Sequence, residues 1–119
     1  MTSENNVEQQ KYQSVLNLPE IRFAGFLDYM GNLIAGDFKK GVIPLKNETE
    51  RKKMFVEAVL RIRTRQDFDG NLGSVEYAAA RRKKVVTMTV PFEDRILFVA
   101  AEPNADIDKT ARKILELIK

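Results

Sequence analysis

The spacing of hydrophobic positions along this chain switches between helical and alternating, and the switches mark out its elements. Tyr12, Val15 and Leu16 lie at helical spacing within residues 6–17, and Pro19 forbids the helix from continuing. Ile21 to Leu27 is rich in β-formers, with Ile21, Phe23 and Leu27 on one face and Ala24 and Phe26 on the other, so a strand covered on both sides is predicted. Asp28-Tyr29-Met30-Gly31 reads as the turn of a hairpin, and Asn32 to Gly36 as its second strand. A connection over residues 37–46 leads to Asn47, which can cap a helix together with Glu50 three positions later.

That helix is predicted to run to about Arg65 and is unusually apolar. Met54, Phe55, Val56, Ala58, Val59, Leu60 and Ile62 together cover roughly 240° of the helical wheel, more than one sheet face can bury. The surplus predicts a second contact, most simply the same helix of another subunit. Asp67 to Gly73 is turn chemistry, and Ser74 to Ala80 reads as a third strand weakened by three alanines, suited to a sheet edge. Lys84 to Val90 alternates as a fourth strand that Pro91 is expected to stop, and Ile96 to Ala101 is apolar enough to be buried on both faces beside the first strand. Past Pro103, either Asn104 or Asp106 can cap a last helix carrying Ile107, Ala111, Ile114, Leu115 and Ile118. The reading is one α+β domain over residues 1–119, of order α-ββ-α-βββ-α, with residues 1–5 expected to be disordered.

Gly25, Leu27-Asp28, Gly31 and Leu33-Ile34-Ala35 in the hairpin, with Ile96 to Ala101 and then Pro103 before the last helix, give the chain a pattern that resembles the roadblock (dynein light chain) superfamily. Ile21 to Gly25, Gly31 to Gly36, Leu72-Gly73, Tyr77-Ala78 and Arg81 to Val85 also look like a family of small archaeal proteins of unknown function. The roadblock resemblance implies a five-stranded antiparallel sheet, the long helix on one face and the terminal helices on the other, as in roadblock and profilin-like folds. It further implies a homodimer formed through the long helix and the third strand, with Phe55, Val59, Ile62, Val75, Tyr77 and Ala79 near the interface. Members of that superfamily act as platforms for small GTPases or motor subunits, and some stimulate GTP hydrolysis without contributing a catalytic side chain. The implied function is a non-catalytic, dimeric regulatory module and scaffold with a regulatory protein partner, a small GTPase among the candidates.

Composition narrows the chemistry. With no cysteine and no histidine, disulfides, thiolate metal sites, Ser-His triads and the commonest general base are all excluded. Carboxylates at Asp67, Asp69, Glu93, Asp94, Asp106 and Asp108 fall in turns and helix starts, where solvation and capping explain them. Asp28 and Gly31 have neither the ligand density of a calcium loop nor the glycine spacing of a phosphate loop. No enzymatic activity, cofactor or metal is therefore expected. The polar start lacks the order of a secretory signal and no apolar run spans a bilayer, so a cytoplasmic setting without membrane insertion is expected.

The net charge of +3 is concentrated in the middle of the chain. Arg81, Arg82, Lys83 and Lys84 form its densest run and are a candidate basic partner surface. Nucleic acid is the alternative partner, although no aromatic is interleaved for base stacking, and a solvated hairpin corner explains the same residues. A small-ligand sensor is a further alternative, because one sheet between helices does not fix function.

Overall fold

The computed structural model describes residues 3–119, with side chains described from Val7 onward. The elements are α1 (Ser3–Leu16), β1 (Ile21–Leu27), β2 (Leu33–Phe38), α2 (Glu48–Gln66), the single turn α3 (Asp69–Leu72), β3 (Ala78–Arg81), β4 (Val86–Phe92), β5 (Arg95–Ala101) and α4 (Ile107–Ile118). Disorder expected over residues 1–5 falls partly on residues 1 and 2, which lie outside the described residues; from Ser3 the backbone is helical. The five strands form one antiparallel sheet in the order β2-β1-β5-β4-β3, which places the two most apolar strands side by side at its centre.

Alternation along the strands sorts the core into two layers. Phe23, Leu27, Ile96 and Phe98 face α2 and meet its Phe55, Val59 and Ile62. Ala24, Phe26, Met88, Val90, Leu97 and Val99 face the other way, onto Val15 of α1 and Ala111, Ile114 and Ile118 of α4. Ile21 departs from the expected grouping with Phe23 and Leu27, because a bulge between Ile21 and Phe23 inserts Arg22 against the Ala101–Ala100 step. The extra residue reverses the alternation, so Ile21 joins Ala24 and Phe26.

Two boundaries differ from the sequence reading. Pro91 does not stop β4, which continues through Phe92 and pairs Pro91 with Ile96. β3 reaches only to Thr89, so Pro91 has a strand on one side alone, the situation in which a missing N–H is tolerated. The third strand is shorter than residues 74–80 and begins at Ala78, with α3 and an irregular stretch before it.

Caps fix where the helices begin. Asn47 Oδ1 accepts the Glu50 N–H at 2.9 Å, one half of the expected capping box. Asp106 rather than Asn104 caps α4, accepting the Lys109 N–H at 3.1 Å. In the β1–β2 turn, Asp28 Oδ1 accepts the N–H groups of Met30 and Asn32, both at 2.9 Å, and Gly31 takes φ 80°. Burial opposes ionisation of Asp28, but the donors of Asn32 and Met30 and the charge of Lys52 outweigh it and hold its carboxyl below the usual value. A Cβ on Gly31 would lie 2.7 Å from the Val56 side chain, so the glycine lets the hairpin tip close onto α2.

Candidate functional site

The wide apolar face of α2 divides. Phe55, Val59 and Ile62 are 6%, 1% and 0% exposed and are consumed by the chain's own sheet. Phe55 sits among rings, 5.3 Å from Phe98 and 5.9 Å from Phe23 between centroids. Within one chain these three residues are core. The surplus predicted by the wheel is real, and it lies elsewhere: Val56 and Leu60, four residues apart, are exposed, Leu60 to 61%.

The three third-strand candidates also separate. Val75 packs partly buried against the α2 layer, whereas Tyr77 packs against the opposite layer and donates its hydroxyl to Asp108 Oδ1 at 2.6 Å. Hydrogen bonding to Asp108 raises the phenol pKa above its ordinary value. Both precede the strand, where the backbone is irregular, so an alternation of two does not hold them on one face. Ala79 lies within β3 and is exposed at the sheet edge.

Beside this edge, a shallow groove of about 100 Å³ runs between α2 and β3, with Met54, Ala58 and Arg61 on the helix side and Ala78, Ala79 and Ala80 on the strand side. The alanines, poor as strand formers, leave a low wall that another backbone can approach closely.

The basic run splits across the sheet. Arg81 donates to the carbonyls of Pro103 and Ala105, the latter at 2.5 Å, and so holds the loop before α4. Arg82 and Lys84 lie on the α2 side and line a larger recess of about 540 Å³, while Lys83 lines neither cavity. Three other cations of the basic middle are individually engaged: Arg61 pairs with Glu57 at 3.0 Å, Arg63 lies 4.8 Å over the Tyr29 ring, and Lys52 donates to Asn32. The larger recess is the feature the sequence did not show, because its walls come from five separate stretches of the chain.

No cluster of three or more carboxylates that could hold a metal occurs among the described residues, and no helix among them is long and apolar enough to cross a membrane.

A family model described as a family of unknown function, DUF6659, matches residues 3–119. The chain belongs to DUF6659. No curated protein matches this DUF6659 chain in sequence. Solved structures match its fold. The gliding protein mglB from Thermus thermophilus is 11% identical, covers 99% of this chain and 90% of its own, and superposes with a TM-score of 0.75. A roadblock/LC7 domain from Streptomyces avermitilis is 12% identical, with 92% and 90% covered and a TM-score of 0.70. Profilin from Schizosaccharomyces pombe is 14% identical, with 92% and 90% covered and a TM-score of 0.62. At these identities the likeness establishes the fold, which is of the roadblock and profilin-like type.

Proposed function

We propose that this DUF6659 chain is a non-catalytic regulatory module that works as a homodimer and presents a platform to a regulatory protein, with a small GTPase as the partner class. The observation that carries this reading is the open edge of β3, whose alanines border a groove against Met54 and Ala58 of α2. An unpaired edge made of alanines is a template for a second strand, and Leu60, 61% exposed further round α2, adds apolar surface on the same helix. Two copies related by a two-fold axis would join their β3 strands and bring their α2 helices alongside, each contact made twice. A relative in fold has been solved as "MglB with tetrameric arrangement", which supports assembly as a property compatible with this architecture.

The absence of cysteine makes a direct test available. Ala79→Cys is expected to form a disulfide-linked dimer under mild oxidation at low protein concentration, because a two-fold β3 pairing brings the two copies of this position together. Met30→Cys, exposed in the hairpin turn at the other end of the sheet, is expected to stay monomeric on a denaturing gel. Equal crosslinking at both positions would contradict the interface. For the partner, affinity capture on wild-type protein is expected to enrich a GTP-binding protein; its absence would remove the GTPase from the reading and leave the dimer standing.

A further inference from the structure

The recess of about 540 Å³ lies beside the β3 groove but is built differently. Its floor is apolar, made by Phe38, Leu45, Met54, Val85 and Ala100. Six cations line it and two carboxylates, Glu50 and Glu57, oppose them. The cations are of two kinds. Arg22, Lys46 and Arg51 are engaged: Arg22 pairs with Glu102 at 3.2 Å, Lys46 with Glu50 at 4.0 Å, and Arg51 donates to the Lys46 carbonyl at 2.6 Å while lying 5.3 Å over the Phe38 ring. Lys53, Arg82 and Lys84 have no carboxylate within ion-pair distance among the described residues.

Mutual repulsion among three unneutralised cations around one cavity is relieved by an anion, and the low-dielectric floor strengthens that attraction. The volume falls in the range of clefts that hold small organic ligands, roughly 300–1,000 Å³. A simple inorganic anion would leave the apolar floor unused. A polynucleotide would need an extended basic track with aromatic platforms, and here the charges converge on one recess whose single aromatic is already covered by Arg51. The guanidinium of Arg51, pinned above Phe38, offers a flat face on which a planar ring system can stack.

We propose that this recess is a binding site for a soluble organic phosphate of nucleotide size, its phosphates held by Lys53, Arg82 and Lys84 and its flat apolar part resting on the floor near Arg51. All the residues that line the site belong to one chain, and Arg82 also borders the β3 groove.

Isothermal titration of the full chain with ATP, GTP, CTP and UTP in turn, at low salt, tests the proposal, alongside inorganic pyrophosphate and a short oligothymidylate. At least one nucleotide is expected to bind saturably, more tightly than pyrophosphate, with affinity that falls as salt rises. Arg82→Ala and Lys84→Ala are each expected to weaken it by about tenfold, equivalent to about 1.4 kcal/mol. Lys83→Ala, in the same corner but outside the recess, removes the same charge and is expected to leave affinity unchanged. Three outcomes overturn the proposal: no saturable binding of any nucleotide at millimolar concentration, equal losses in all three variants, or binding of the oligonucleotide without any mononucleotide. Unchanged thermal unfolding of the variants shows that a loss of binding is not a loss of fold.

Discussion

The two faces of the sheet carry helices that do different amounts of work for the fold. On one face, α1 and α4 meet the sheet together, with Val15, Ala111, Ile114 and Ile118 all buried. Polar contacts seal the join: the Thr110 hydroxyl donates to Glu20 Oε2 at 2.7 Å, Lys113 to the same oxygen at 3.4 Å, and Lys11 to the Ile118 carbonyl at 2.9 Å. On the other face α2 lies alone. It buries three large side chains, leaves Val56 and Leu60 outside, and is bordered by both the β3 groove and the basic recess. A helix pair can cover a five-stranded sheet; a single helix leaves its margins open. The β3 groove and the basic recess both lie along those open margins.

Substitutions should break this contrast in a definite order. Phe55→Ala removes a ring from the centre of the α2 layer and is expected to cost about 3–5 kcal/mol, read from the denaturant midpoint. A cost below about 1 kcal/mol would mean that α2 is not core at all. Val59→Glu should unfold the monomer outright, so it cannot serve as a test of association.

On the paired face, Glu20→Gln is expected to cost about 1–2 kcal/mol at neutral pH through its hydrogen bonds to Thr110 and Lys113. Burial of Glu20 opposes ionisation, but the Thr110 hydroxyl and the Lys113 ammonium outweigh it, so its carboxyl sits below its ordinary value in the folded state. A lowered folded pKa adds stability above the unfolded pKa, and that stability is lost as pH falls through the folded value. Acid titration of wild type should therefore show a loss of stability below the ordinary carboxylate range that Glu20→Gln lacks; parallel curves would contradict the assignment.

Arg81→Ala should cost roughly 1 kcal/mol by releasing the loop before α4, and should leave nucleotide titrations untouched. The smallest effect on monomer stability is expected for Leu60→Glu, within about 0.5 kcal/mol, because that side chain is 61% exposed.

The same contrast explains what could be read from sequence. The paired face was legible: Ile107, Ala111, Ile114, Leu115 and Ile118 form a narrow stripe, and such a stripe has one way to pack. The central strands were legible because six consecutive apolar residues at Ile96 to Ala101 leave no polar side. For α2, the breadth of the apolar arc was correctly read as a surplus, but a wheel cannot say which part of an arc faces the sheet. Phe55, Val59 and Ile62 turned inward, and the outward residues were Val56 and Leu60. Tyr77 escaped alternation because the backbone before Ala78 is irregular. Arg81 and Arg82, neighbours in sequence, point to opposite faces of the sheet, so one basic run became a structural tether and part of a cavity. The recess itself joins β1, the end of β2, the connection before α2, α2, the β3–β4 corner and β5, and no local pattern carries an assembly of that kind.

The central claim, that the open margin of α2 and β3 is an interface between two copies, is tested most directly by mass. Sedimentation equilibrium of the wild-type chain at tens of micromolar is predicted to return twice the chain mass of 13.6 kDa, and the substitution Ala79→Arg, which sets a further positive charge beside Arg61, Arg65 and Arg82, is predicted to return the single chain mass with its fold intact. A wild-type protein that sediments as a 13.6 kDa monomer at that concentration would contradict the account.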